Sequence, residues 1–232
     1  MNEHTVDLIA IDGPAGSGKS SVSKEIARRL GYGYLDTGAA YRALAWHVLE
    51  RGADTEDAEA VRAAASDFPL RQGLDPDDRR VLVGDTEVTD AIRESRVSAA
   101  VSGVARVPEV RVQVNEMFRR IVAEAPYPAV VVEGRDITTV VAPDAPVRIL
   151  LTAAPEVRAA RRANELGAEN ASAVAEALHK RDARDSTMVD FLTAAPGVDV
   201  VDSTALDFPQ TVEAVLAVIE RRRGDGRGVD NG

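Results

Sequence analysis

Apolar residues along this chain fall into short runs separated by stretches with helical spacing. The runs at 6–11, 34–35, 129–132, 147–151 and 198–201 are rich in Val, Ile and Leu with few polar positions between them. Such runs mark strands buried on both faces. Helix-length segments lie between them, so the chain reads as successive βα units. This pattern predicts a three-layer α/β fold with a mainly parallel, five-stranded core sheet.

Two stretches break the alternation. Residues 68–88, FPLRQGLDPDDRRVLVGDTEV, carry turn signals at Asp75-Pro76-Asp77-Asp78 and Gly84-Asp85 between short strand-like pieces. A small antiparallel insertion is expected there. Charged helical pieces at 156–166 and 173–184, interrupted at 164–172, predict a helical hairpin standing off the core. A final helix at 209–220 precedes the polar, Gly-rich tail 221–232, which is expected to be disordered.

Composition narrows the classes. A chain of 232 residues supports one good core, so a single domain over 1–232 is expected. Its net charge of -10 repels polyanions at long range and argues against a nucleic-acid partner. Without cysteine, it forms no disulfide and no thiolate metal site. No apolar stretch is long enough to span a membrane, and the start MNEHTVD lacks the features of a signal peptide. A cytoplasmic protein with no membrane partner is therefore expected.

Candidate chemistry begins directly after the first strand. Gly13-Pro14-Ala15-Gly16-Ser17-Gly18-Lys19-Ser20 matches G-x-x-x-x-G-K-[ST], and Ser21 leads into an amphipathic helix at 21–30. A strand, a Gly-rich turn and a helix in that order form a phosphate-binding loop. Free amides at the helix start favour a polyphosphate, Lys19 reaches its outer phosphates, and the Ser20 hydroxyl can join a magnesium ion's coordination. Two further segments bear on a second ligand. Asp36-Thr37-Gly38-Ala39-Ala40-Tyr41-Arg42 follows the second strand, and Glu133-Gly134-Arg135-Asp136 ends the third. Arg42 reads equally as a phosphate fork or a solvated helix charge. Arg135 and Asp136 either close a strand end as an ion pair or face a ligand at the carboxyl edge of the sheet. Arg158, Arg161 and Arg162, with Lys180, Arg181 and Arg184, make the predicted hairpin cationic. Such a run is either a solvated surface or a flap closing over transferring phosphate.

The chain resembles the bacterial cytidylate kinases, within the nucleoside monophosphate kinases. The stretches IDGPAGSGKSSVSKEIARRLGYGYLDTGAAYRALA, VVVEGRDITTVVAPDAPVRILLTA, KRDARDS and VVDST carry the likeness in the family's order. The resemblance implies a parallel core, a monophosphate-binding region at about 37–125 that contains the 68–88 insertion, and a short lid at about 156–186. It implies transfer of the ATP γ-phosphoryl group to CMP or dCMP with Mg2+, by a monomer. It places the ATP phosphates on 13–20, with Ser21 adjoining. It puts Thr37 and Tyr41 beside the acceptor, the CMP phosphate on Arg42 and Arg135, cytosine near Ser102, Arg111 and Asp136, and the sugar near Arg181 and Asp185. Cytosine's exocyclic amine suits the Asp136 carboxylate, and its ring acceptors suit the Arg111 guanidinium. A uracil carbonyl there would oppose two acceptors, costing about 1–3 kcal/mol, so UMP is the poorer acceptor.

Catalysis in such a site needs no general base, since the second pKa of a phosphomonoester is about 6. Alignment and charge neutralisation suffice, with Lys19 and the lid arginines Arg158, Arg161 and Arg162 around the moving group. The same loop also occurs in small-metabolite kinases and in non-catalytic nucleotide sensors, and the acceptor decides among them. One position departs from the family pattern: Met188 stands where relatives usually have arginine. Met188→Arg is expected to lower the KM for CMP in steady-state assays. An unchanged or raised KM would remove that role from the position.

Overall fold

The protein was described from a computed structural model covering residues 6–166, 172, 175, 176, 178, 179, 182, 183 and 192–227. Five strands form the core sheet: β1 Asp7–Asp12, β2 Gly33–Asp36, β6 Ala129–Gly134, β7 Val147–Thr152 and β8 Asp199–Asp202, in the order β2-β6-β1-β7-β8. Every neighbouring pair in it is parallel. Parallel strands need crossover connections, and the helices that supply them cover both faces.

Alternate side chains of β1 and β6 enter opposite cores. Ala10, Val130 and Val132 face a cluster with Leu44, Val104, Val114 and Phe118. These come from α2 Thr37–Glu50, α4 Ser95–Ala105 and α5 Pro108–Ala123, with α3 Ala58–Ser66 closing the same side. Ile9, Ile11 and Val131 face Val22, Ile26, Val212, Val215 and Ile219 of α1 Lys19–Leu30 and α7 Phe208–Arg227. The three-layer reading of the sequence holds.

Local chemistry fixes the helix starts. Asp36 caps α2 by accepting from the Ala39 amide at 2.8 Å, and Pro108 opens α5 at a position where a missing amide costs nothing. The insertion expected at 68–88 is a three-stranded antiparallel sheet, β3 Leu70–Gln72, β4 Val81–Val83 and β5 Thr86–Glu87. It has a small core of its own, in which Val81, Val83, Val88 and Ile92 pack on Ala39 and Ala43 of α2.

The structure corrects the sequence at three places. Helix α1 begins at Lys19 rather than Ser21, with Gly18 as its cap residue. The helical piece α6 Pro155–Leu166 does not stand off the core, because Arg161 is anchored to the carbonyls of Ser203 and Leu206 in the segment after β8. Finally, α7 runs to Arg227, so residues 221–227 are not a disordered tail. Arg221 and Arg222 both reach the Asp199 carboxylate at 2.6 Å, and Arg223 bonds the Tyr32 hydroxyl. These contacts carry the helix past the Glu220 end expected from composition. Among the described residues no helix is long and apolar enough to cross a membrane.

Burial, not surface pairing, is expected to hold α7 in place. Ile219 is 2% exposed and Arg221 lies at the surface. Ile219→Ala should cost about 2–5 kcal/mol in urea unfolding. Arg221→Ala should cost less than about 1 kcal/mol, and the reverse ranking would contradict the packing.

Candidate active site

The site is built where β1 and β6 end side by side. From β1 the chain leaves toward the β2 edge, and from β6 it leaves toward β7 on the other side. Adjacent strands with diverging connections open a crevice at their carboxyl ends, where open α/β sheets bind ligands.

On the β1 side, residues 13–18 form the turn into α1. Gly16 and Gly18 adopt left-handed backbone, with φ 77° and 87°. A Cβ at Gly18 would meet open space, while one at Gly16 would lie 2.6 Å from the Arg158 carbonyl oxygen. No side chain caps α1, so its first amides face an anion site. The Ser17 hydroxyl is buried without a hydrogen-bond partner. Pro14 is buried, Ala15 is half-buried, and Ser21 lies exposed on the first turn.

Glu133 of β6 meets this loop. Its carboxylate is 2% exposed and accepts from the Ser20 hydroxyl at 2.5 Å and the Tyr34 hydroxyl at 2.9 Å. Lys19 Nζ lies 3.7 Å away. Burial and the charge of Asp36 push the Glu133 pKa up, against the pull of Lys19 and both hydroxyls. A hydroxyl and a carboxylate are hard oxygen donors, the kind that hold magnesium beside substrate phosphates. The residues present therefore fit that ion.

The second ligand side is assembled from three distant segments. Thr37 donates to the Glu133 carbonyl at 2.7 Å, which locks the start of α2 to the end of β6. One helical turn on, Arg42 reaches Asp36 at 3.4 Å, while its Nε is buried and unpartnered. Tyr41 packs edge-on to Phe118 with centroids 6.1 Å apart, and its hydroxyl is likewise buried without a partner. Burial and the charge of Asp136 drive that phenol's pKa above its ordinary value. Arg111, carried by α5, reaches Asp136 at 2.5 Å. Burial raises the Asp136 pKa and Arg111 opposes it. Tyr41, Arg111 and Asp136 thus converge. Ser102 lies half-buried on α4, and no hydrogen bond among the described residues joins its hydroxyl to Arg111 or Asp136.

Charged groups also link the two sides. Asp182 accepts from Arg135 at 3.2 Å and, through its other oxygen, from Arg158. Arg158 continues to the Ala15 carbonyl at 3.0 Å, inside the phosphate loop. Arg161 reaches the Ser17 carbonyl at 3.4 Å and the Ser203 hydroxyl at 2.9 Å. These guanidinium groups brace the loop from α6. Arg162 is half-buried beside them. Lys180, Arg181, Arg184, Asp185 and Met188 lie outside the described residues.

Sequence reasoning did not single out Glu133 or Asp182. An acid ending the all-apolar run AVVV at the ligand edge was a readable signal for Glu133. Asp182 carried none, because KRDARDS offers several charges and only the fold selects the one between two guanidinium groups.

A Gly-rich loop between β1 and α1, set at the switch point of a parallel sheet and facing a carboxylate on the neighbouring strand, defines a P-loop protein of the α/β kinase fold. A family model described as Cytidylate kinase matches residues 9–221. A cytidylate kinase from Streptomyces coelicolor is 48% identical over 217 residues, spanning 93% of this chain and 94% of that protein. One from Cutibacterium acnes is 44% identical over 215 residues, spanning 91% and 95%. The crystal structure of an uncharacterized protein from Eubacterium ventriosum superposes with a TM-score of 0.52 at 12% identity, over 92% of this chain and 98% of that one, which bears on the fold alone. The chain belongs to the cytidylate kinase family, and it is an enzyme.

The loop geometry predicts the effect of a single methyl group. Gly16→Ala combines a left-handed backbone, about 1–2 kcal/mol for a residue with Cβ, with the clash against Arg158. Binding of a nucleoside triphosphate should weaken at least about tenfold by calorimetry. Unchanged affinity would show that the loop needs no glycine there.

Proposed function

We propose that this enzyme transfers the γ-phosphoryl group of ATP to CMP or dCMP, giving ADP and CDP or dCDP. One observation carries the reading. The end of β6 holds Glu133 against Lys19 and Ser20 of the phosphate loop, while two and three residues later Arg135 meets Asp182 and Asp136 meets Arg111. Donor and acceptor groups therefore meet across a single strand end.

Lys19 takes the β and γ phosphates of ATP, and the loop amides take the rest of the chain. Ser20 and Glu133 would hold Mg2+, which when bound neutralises charge shared by the outer phosphates. Arg42 and Arg135 grip the acceptor phosphate as forks, a geometry suited to two oxygens at once. The Arg111–Asp136 pair meets cytosine, with the guanidinium feeding ring acceptors and the carboxylate receiving the exocyclic amine. Tyr41 Oη and Arg42 Nε, both buried and unpartnered, are placed to gain partners from a ligand there. Among the lid arginines, Arg158 shares Asp182 with Arg135 and so stands between the two substrates.

The acceptor phosphate is largely dianionic near neutral pH, so the attacking oxygen needs no base. The protein contributes alignment and positive charge, and closure of the lid would exclude water.

A panel of CMP, dCMP, UMP, AMP and a small polyol, each with ATP and magnesium, tests the reading, with Lys19→Ala as the control. CMP or dCMP should give acceptor-dependent ADP release, with kcat/KM for UMP lower by about 5- to 150-fold. Lys19→Ala should lose turnover by orders of magnitude while keeping the melting curve of the parent. Turnover with the polyol would move the protein to the small-metabolite kinases. ATP binding without acceptor-dependent turnover would make it a sensor.

A further inference from the structure

Asp12 ends β1 and immediately precedes Gly13, the first residue of the phosphate loop. Its side chain turns away from that loop. Buried at 2% exposure, the carboxylate crosses to the chain that leaves β6. One oxygen accepts from the Ile137 amide at 3.0 Å, and the other from the Thr138 amide at 2.8 Å and the Thr138 hydroxyl at 2.7 Å.

These bonds begin where the sheet stops. The β1–β6 ladder ends with Asp12 opposite Gly134, so the strands themselves do not fix residues 135 onward. The segment 135–138 then enters the short helical turn Ile137–Val141. Arg135 and Asp136, proposed above for the acceptor's phosphate and base, lie on this stretch. Asp12 is thus covalently joined to the donor loop and hydrogen-bonded to the acceptor segment. Burial lifts its pKa to about 6 against the pull of three donors, and those three donors aimed at its two oxygens match the carboxylate form, which only accepts.

We propose that Asp12 is a positioning residue for phosphoryl transfer, fixing the Arg135-Asp136 segment relative to the ATP loop. The inference rests on the CMP kinase reading. A purely structural anchor would lower stability and leave substrate parameters alone. A positioning residue acts unevenly: acceptor use suffers, and ATP binding by the intact loop does not.

The test pairs Asp12→Asn with Thr138→Val in the full chain. In Asp12→Asn the amide nitrogen must face either the Ile137 or the Thr138 amide, donor against donor. Thr138→Val keeps shape and removes only the hydroxyl bond. Wild-type protein is assayed first with ATP, magnesium and CMP. Absence of CMP-dependent turnover there sinks the functional reading, and this inference with it. With an active parent, Asp12→Asn should lower kcat/KM for CMP at least about tenfold, while the Kd for ATP by calorimetry changes less than about threefold. Thr138→Val should show the same split at about threefold or more. Unchanged CMP parameters in folded Asp12→Asn, or ATP affinity falling as far as CMP use, would overturn the role of Asp12 and leave the functional reading standing. Should Asp12→Asn fail to fold, the same two outcomes in Thr138→Val decide.

Discussion

A buried carboxylate is tolerated only when donors surround it, and Glu133 organises this site by demanding them. Its side chain takes Ser20 and Tyr34, its backbone carbonyl takes Thr37, and Lys19 lies within ion-pair range. Those partners come from α1, β2 and α2. One residue at the tip of β6 thus locks the phosphate loop and the start of α2 to the same point. Unpartnered, that charge would cost several kcal/mol, so the arrangement is specified by more than its net stability.

The same economy governs the cations of an acidic chain. Arg158 and Arg161 give donors to backbone carbonyls of the loop and of the segment after β8, and Arg158 also meets the Asp182 carboxylate. Arg111 and Arg135 meet carboxylates in the crevice as well. Guanidinium groups held this way have lost much of their rotamer freedom already, so an anion they meet would order them at little further cost.

Much of this was legible in the residues. The Val-rich runs gave the parallel strands, and in β1, β6 and β7 a strand covered on both faces has no polar side to show, whereas edge strand β8 leaves Val200 exposed. The turn signals at 75–78 and 84–85 gave the small antiparallel sheet. The loop motif was readable because its glycines and Lys-Ser pair are contiguous. The convergence of Tyr41, Arg111 and Asp136 was not readable from spacing, since three separate elements deliver them; the family resemblance grouped Arg111 and Asp136 with Ser102, which bonds neither among the described residues. Glu133 and Asp182 escaped because their meaning lies in which donors surround them. Residues 221–227 misled for the opposite reason: composition suggested a loose tail, while Asp199 and Tyr32, remote in sequence, hold the arginines in a helix.

The small sheet has its own apolar centre and rests on Ala39 and Ala43 of α2, the helix that also bears Thr37, Tyr41 and Arg42. Gln72 of that sheet bonds the Asp36 carbonyl at 3.0 Å, at the root of the same helix. The appendage also touches α1, the helix of the phosphate loop, where Arg28 bonds Asp77 at 2.6 Å. It therefore bridges the two helices whose first turns both meet Glu133, so a change in its small core reaches both sides of the crevice at once.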